Sequence, residues 1–341
     1  EQYQERDVIE SNGFIFLQAF HVRMEESEAV KMTIINPVAF WGFAAITVVS
    51  LVIYAVIFVA YWRNLRDPLV RSLFSFLYLL HALANISFLI ANSFIGLPRH
   101  WPSAWPTYQN LNETHWTEAV EMVMVFIVVA QMFGIALMAI ERFFGTFDIL
   151  SFIHELFERL PRLIWLIIKC LLPAACILPL FTADSPFYYY DDTQEMISLY
   201  TMHHGSIQTQ YIGPAMILSC AVTAISYAVV IVRDVLVCYK VKRTHRHRIE
   251  DDERMTALGF MLLFPQIAGA VFAMLGRKAS NDGDLERALW LKSHIVYVQY
   301  SMAVIGPLLI LLSRRGRGLL FSRSYVESPS PVKATNGVSH D

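Results

Sequence analysis

The residues of this chain that could do chemistry are few and scattered. Lys169, His81 and His294 are the titratable side chains inside long apolar runs. His203 and His204 are adjacent, so they point to different faces of any helix and make a poor chelating pair. The sequence has no HExxH, GxSxG, GxxxxGK or CxxC motif. It therefore predicts no catalytic residue, no metal site and no cofactor, and we expect the protein not to be an enzyme.

Seven apolar stretches, each long enough to cross a bilayer, hold or flank those residues. A helix rises about 1.5 Å per residue, so about 20 apolar residues span the roughly 30 Å hydrocarbon core. The chain is 55% hydrophobic and 16% charged, and unbroken apolar runs of this length in lipid are helices. The sequence therefore predicts an all-α membrane protein, a seven-transmembrane helix bundle. The predicted spans are residues 38–62, 72–97, 122–140, 163–183, 212–232, 255–275 and 293–313.

The placement of Lys and Arg predicts the orientation of the bundle. The connections after the first, third and fifth spans, together with the C-terminal tail, hold more than twice as many Lys and Arg as the other connections. Positive charge favours the cytoplasmic side, so we expect the N-terminus outside and the C-terminus in the cytoplasm. The expected parts are an extracellular segment 1–37, a seven-helix transmembrane domain 38–313 and a largely disordered cytoplasmic tail 314–341. The basic run at 240–248 indicates an anchor at anionic lipid and no nucleic-acid partner.

Asn112, Glu113 and Thr114 form a glycosylation sequon in a connection that the charge pattern assigns to the outside. We therefore expect a glycan on Asn112. None of the four cysteines falls in an outer connection, so no disulfide is expected there.

Glu141, Arg142 and Phe143 stand at the predicted cytoplasmic end of the third span. An acid–Arg–aromatic triplet at this position resembles the signature of rhodopsin-like seven-helix receptors. The resemblance implies a switch for G-protein coupling, in which Glu141 holds Arg142 at rest and Arg142 is released toward a heterotrimeric G protein on activation. An acid of the cluster 250–253 is the alternative resting partner. Taken alone, a Glu–Arg pair is more typical of a basic anchor ending a span.

Other positions depart from the broad rhodopsin-like pattern. Gly306 and Pro307 stand where that family has an Asn-Pro pair, Tyr300 where an opsin has its retinal lysine, and Met124 where amine receptors have an aspartate. Retinal and biogenic amines are therefore not expected. The run at 141–146, the pair formed by residues 81 and 85, and the chain length resemble nematode serpentine chemoreceptors of the alpha/beta/epsilon group, with the exact class open. The resemblance implies a plasma-membrane receptor, in sensory neuron cilia, for an odorant or pheromone-like small molecule.

In the receptors that this chain resembles, the ligand enters from outside between the third, fifth, sixth and seventh helices. Methionine and aromatic walls suit small, largely apolar molecules, although for any single one of these residues helix packing or contact with lipid is the more common role. Proline inside a span removes a backbone hydrogen bond and often kinks the helix. The candidate ligand-binding residues are Glu121, Met124, Met216, Phe272, Tyr297 and Tyr300, and the expected kinks are at Pro214, Pro265 and Pro307.

A ligand-gated channel and a transporter are the alternative classes. A seven-span channel of the insect odorant type places its N-terminus inside, which the charge pattern opposes. A transporter shows paired broken helices and ionisable residues at mid-membrane. Lys169 is expected about one turn from the cytoplasmic end of its span, where its side chain can snorkel to the surface. The sequence therefore favours the receptor.

Overall fold

The computed structural model of the chain describes residues 37–65, 71–147, 150–182, 186–191, 196–200, 212–240, 246–282 and 284–312. The predicted extracellular segment, apart from residue 37, and the C-terminal tail lie outside the described residues, and so do the side chains at 250–253. Within the described residues the chain forms nine α-helices and two β-strands. They are α1 (Pro37–Arg63), α2 (Leu73–Ala91), α3 (Trp105–Glu113), α4 (Trp116–Thr146), α5 (Ser151–Arg159), α6 (Arg162–Ile177), β1 (Phe187–Asp191), β2 (Met196–Tyr200), α7 (Gly213–Lys240), α8 (Arg246–Asn281) and α9 (Leu285–Leu312).

Seven of these helices correspond to the predicted spans: α1, α2, α4, α6, α7, α8 and α9. Among the described residues, five stretches are long and apolar enough to cross a membrane: Trp41–Arg63, Leu73–Arg99, Trp116–Thr146, Arg162–Phe181 and Gly213–Arg233. The fold is that of an all-α membrane protein, as predicted.

The long helix α4 lies at the centre of the bundle. Its 31 residues make it about 46 Å long, and it contacts α2, α6 and α7. Met132, Ile135 and Met138 of α4 are almost completely buried. Helix α1 lies at the edge, where Val48 and Val52 are 61% and 58% exposed, as expected for side chains that face lipid. We call the end of the bundle where α4 finishes the inner end, and the opposite end the outer end, following the predicted orientation.

The loop between α6 and α7 contains the antiparallel hairpin β1–β2, in which Tyr189 lies opposite Ser198. Alternate side chains point to one face: Tyr188 of β1 and Ile197 of β2 are fully buried. They pack against Tyr108 of the short helix α3. The hairpin and α3 thus form a small apolar core of their own, which we call the outer cap. Sequence reasoning did not anticipate this strand pair.

Candidate functional site

The Glu141–Arg142 pair lies near the inner end of α4. Glu141 is only 7% exposed, and its Oε2 lies 3.9 Å from Nε of Arg142. Neither of these two atoms has a hydrogen-bond partner among the described residues. Neighbouring residues on a helix do not face each other, which explains the long contact. The acid therefore holds the arginine through charge, without a geometrically fixed hydrogen bond.

The guanidinium of Arg142 also lies on an aromatic ring. Its central carbon is 3.9 Å from the ring centroid of Phe74, at the start of α2. Such a cation–π contact contributes about 0.5–2 kcal/mol, depending on how dry the site is. Arg142 is thus held between a charge on its own helix and a ring on another, and its side chain keeps 24% exposure.

The short helix α5 supplies further polar contacts at the inner end. His154 Nε2 lies 3.5 Å from Oε1 of Glu141. Glu158 accepts hydrogen bonds from the backbone N–H of Leu73 at 3.0 Å and from Arg162 at 3.1 Å. The ligand atoms of Glu141, His154 and Glu158 lie within 4.8 Å of one another. Because both oxygens of Glu158 are already occupied by these donors, we attribute the cluster to helix pinning and not to metal binding.

Phe143, the third member of the predicted switch, lies in a row of aromatic rings. Its ring centroid is 5.4 Å from that of Phe144 and 5.3 Å from that of Phe147. Phe144 in turn contacts Phe157 of α5, which contacts Trp165 of α6, each at 5.2 Å. The row joins α4, α5 and α6, so Phe143 belongs to packing that holds the inner end together.

A buried polar network crosses the middle of the bundle, and sequence reasoning identified only its α2 members. Gln131 of α4 donates to Oδ1 of Asn85, and Asn85 donates to the hydroxyl of Tyr54, each at 2.8 Å. Tyr54 of α1 donates to the backbone carbonyl of Ala303 in α9 at 2.8 Å. Asn85 Nδ2 also lies 3.1 Å from Nε2 of His81. The amide of Asn85 therefore joins four helices. Such a network is expected inside the bundle, because buried polar groups need hydrogen-bond partners.

Lys169 does not snorkel, contrary to the sequence-based expectation. It is only 5% exposed, and its Nζ donates to the backbone carbonyl of Ala130 in α4 at 2.9 Å. A methyl group at Gly134 would overlap with the Lys169 ammonium and would come within 2.8 Å of Nδ1 of His81. Lys169 lies about two turns into α6, and the missing side chain at Gly134 makes room for it inside the bundle.

At the outer end, Asn112 joins α3 to the hairpin. Its Nδ2 donates to the backbone carbonyl of Tyr188 at 2.7 Å, and its Oδ1 accepts from the Tyr188 N–H at 2.9 Å and from Thr117 at 2.8 Å. The side chain therefore pairs with β1 as a neighbouring strand would. Glycosylation of Asn112 stays a prediction, and in the structure its Nδ2 is engaged by Tyr188.

Tyrosine hydroxyls add to the outer cap. Tyr188 and Tyr108 pack edge to face, with centroids 4.7 Å apart. Tyr188 accepts a hydrogen bond from Arg99 at 2.9 Å, and Tyr108 donates to the carbonyl of Ile95. Burial raises the pKa of Tyr108 to about 12 and also raises the pKa of Tyr188. Both hydroxyls therefore stay protonated at neutral pH. The stability of the folded state that depends on these protonated hydroxyls is lost only when the pH rises above about 10.

Three of the six candidate ligand residues belong to one aromatic row near the outer end. Phe272 of α8 lies 6.1 Å from His294, and His294 lies 5.6 Å from Tyr297. Phe43 of α1 then bridges Tyr297 and Tyr300, at 5.4 and 5.1 Å between centroids. The row extends from α8 through α9 to α1, so it reaches the first span, which the predicted entry between the third, fifth, sixth and seventh spans does not include.

The other candidates are dispersed. Glu121 is buried at the outer end of α4, within electrostatic range of Arg99 and Tyr188, and so belongs to the outer cap. Met124 is half-buried on the same helix. Met216 of α7 is 4% exposed and lies close to α8. The structure therefore does not bring all six candidates to one site.

The three prolines predicted to kink helices differ in position. Pro265 and Pro307 lie inside α8 and α9. Pro214 is the second residue of α7, where the backbone N–H has no partner within the helix in any case. Pro214 therefore stands at the beginning of its helix, whereas the other two prolines lie inside theirs. Pro173 lies inside α6 and was missed by sequence reasoning.

No curated protein matches the chain. Residues 43–316 match the family of serpentine type 7TM GPCR chemoreceptors Srv, which covers the bundle from α1 to α9. The serpentine chemoreceptor prediction is thus confirmed, and the class, for which the sequence pattern favoured the alpha/beta/epsilon group, is Srv. The chain therefore belongs to the Srv family of serpentine seven-transmembrane chemoreceptors.

Proposed function

We propose that this chemoreceptor binds a small extracellular ligand and signals to a heterotrimeric G protein through Arg142. The observation that carries the proposal is the loose hold on Arg142, which lies 3.9 Å from the Glu141 carboxylate and 3.9 Å from the centroid of the Phe74 ring. Family membership supports the chemosensory role. The proposed location is the plasma membrane of sensory neuron cilia, with the N-terminus outside and the Arg142 end in the cytoplasm.

The proposed mechanism is an exchange of partners at the inner end. The Glu141 carboxylate lies 3.9 Å from Arg142 and 3.5 Å from His154, and contacts this long differ little in energy from their alternatives. A small movement of α2 or α5 relative to α4 then suffices to free the guanidinium for the G protein. The ligand biases this two-state equilibrium only as far as it binds the two states with different affinity.

The test compares Arg142→Ala with Arg159→Ala, a control that removes an exposed arginine of the same end. Arg159 is 79% exposed by its side chain and pairs only with Glu155 among the described residues. Cells carrying a promiscuous G protein are challenged with a panel of volatile and water-soluble odorants. At matched surface expression we expect Arg142→Ala to lose signalling at least tenfold and Arg159→Ala to retain it. Glu141→Gln is expected to raise ligand-independent signalling several-fold.

Normal signalling by Arg142→Ala at matched surface expression would contradict the coupling role and would make the pair a membrane anchor. Binding of the ligand should be unchanged in Arg142→Ala, because Arg142 lies 26 residues after the start of α4 at Trp116, or about 39 Å along the helix from the outer end.

A further inference from the structure

Two glutamines inside the bundle have amide atoms without a partner. Gln299 of α9 and Gln266 of α8 are completely buried. Oε1 and Nε2 of Gln299, and Oε1 of Gln266, have no hydrogen-bond partner among the described residues. Burying an amide in this way carries a free-energy penalty, so such groups are ordinarily satisfied by protein, water or ligand.

The two amides differ in how they are held. Nε2 of Gln266 donates to the hydroxyl of Ser219 in α7 at 3.0 Å and lies 3.4 Å from the carbonyl oxygen of Met132 in α4. This fixes the orientation of the Gln266 side chain and leaves its carbonyl oxygen available. Gln299 has no such tether, so both of its polar atoms can serve another molecule.

Close contacts at Gly269 show that the two glutamines lie at similar depth. A methyl group at Gly269 would lie 3.2 Å from Val298 and 3.6 Å from Met216, so α7, α8 and α9 meet at this level. Gln299 directly follows Val298, and Gln266 precedes Gly269 by three residues, which is about 4.5 Å along the helix. Because α8 and α9 run in opposite directions, both glutamines lie toward the inner end from this level, and they differ in depth by about 3 Å.

We propose that Gln299 hydrogen-bonds the head group of a small uncharged ligand that carries a donor and an acceptor side by side. This inference rests on the proposed function and gives it a ligand class. The amide of Gln299 presents one acceptor and one donor side, and a carboxamide or a protonated carboxylic acid matches both at once. A ketone matches only the donor of Gln299. A site with buried polar groups discriminates strongly against an analogue that leaves one of them unpaired.

The apolar part of such a ligand has a wall available in the same region. Met216 is 4% exposed, and Phe272 is half-buried one turn farther along α8 than Gly269, next to His294. A flexible thioether and an aromatic ring suit a short alkyl chain.

The experiment measures the thermal unfolding midpoint of the purified full-length receptor in detergent with two isosteric probes. Hexanamide offers a donor and an acceptor, and heptan-2-one replaces the amide NH2 by a methyl group. We expect the half-stabilising concentration to be at least tenfold lower for hexanamide than for heptan-2-one. Gln299→Leu should abolish this difference, whereas Gln109→Leu, which alters an exposed glutamine of α3, should keep it.

Equal stabilisation of the wild type by the two probes, no stabilisation by either, or an undiminished preference in Gln299→Leu would each overturn the inference and leave Gln299 a partner of bound water only. Gln299→Leu removes an unpaired buried amide, so we expect it to fold at least as well as the wild type without ligand. Gln299→Met is the second variant should leucine not fit. The assay needs no G protein, so its failure is distinguishable from a failure of coupling through Arg142.

Discussion

The two ends of the bundle hold their polar side chains in different ways. At the outer cap, the single amide of Asn112 makes three hydrogen bonds of 2.7 to 2.9 Å, two of them to the backbone of Tyr188. At the inner end, the carboxylate of Glu141 meets Arg142 at 3.9 Å and His154 at 3.5 Å. Both arrangements join segments that are distant in the sequence.

The difference indicates which end can change. Short hydrogen bonds that use all the polar atoms of a side chain fix its geometry. Breaking them leaves buried backbone groups without a hydrogen-bond partner. The charges of Glu141 and Arg142, whose nearest polar atoms are 3.9 Å apart, tolerate displacement, since Coulomb energy falls slowly with distance. The outer cap is therefore fixed, whereas the Glu141–Arg142 pair at the inner end can exchange partners at low energetic cost.

The largest expected effect comes from breaking the outer cap. Asn112→Ala removes three hydrogen bonds and leaves the N–H and carbonyl of Tyr188 unpaired, a loss of about 3 kcal/mol in folding stability. We expect a severalfold lower amount of receptor at the cell surface, measured by labelling an N-terminal tag without permeabilisation.

Thr114→Ala is the matched control for that variant. It destroys the sequon but leaves every hydrogen bond of Asn112 in place, since Thr114 bonds only to backbone carbonyls of its own helix, at Asn110 and Leu111. Surface expression should stay near the wild-type level. If Thr114→Ala reduced expression as strongly as Asn112→Ala, the glycan and not the pairing with β1 would explain both. Loss of the mobility shift on deglycosylation would show that the sequon is used.

A variant in the middle of the bundle tests whether the two ends depend on each other. Gly134→Ala places a methyl group where the Lys169 ammonium lies, and overpacking of this kind costs about 1–3 kcal/mol. We expect a lower unfolding midpoint and altered basal signalling together. The double variant Gly134→Ala with Lys169→Leu, which shortens the clashing side chain, should recover part of the midpoint. If the unfolding midpoint of the double variant did not recover, the clash with Lys169 would not be the cause of the loss.

The smallest expected effect sharpens the description of the inner end. Phe74→Leu removes the ring under the Arg142 guanidinium, which contributes about 0.5–1 kcal/mol and should raise basal signalling roughly two- to fivefold. Phe76→Leu is the control, because the ring of Phe76 lies 5.9 Å from the guanidinium carbon of a different arginine, Arg162. Equal basal signalling in the two variants would mean that Phe74 does not restrain Arg142.

The features that the sequence predicted well are local ones. Runs of about 20 apolar residues specify the spans, and adjacent residues such as Glu141 and Arg142 are visible as a motif. Phe74, His154 and Tyr188 became part of the sites only through tertiary contacts, which a single sequence does not reveal. Lys169 was misplaced because the direction of a long side chain depends on the neighbouring helix, here on the gap at Gly134.

Lys169 also has a consequence for the order in which the chain enters the membrane. On an insertion scale, a lysine near the middle of a span costs about 2.5–3.5 kcal/mol when the helix faces lipid alone. The carbonyl of Ala130 that receives its ammonium belongs to α4, and the space for it lies at Gly134 of the same helix. Because α4 leaves the ribosome before α6, the acceptor is already in the bilayer when the lysine arrives. Packing of α6 against α4 therefore offsets the cost of placing Lys169 in the membrane.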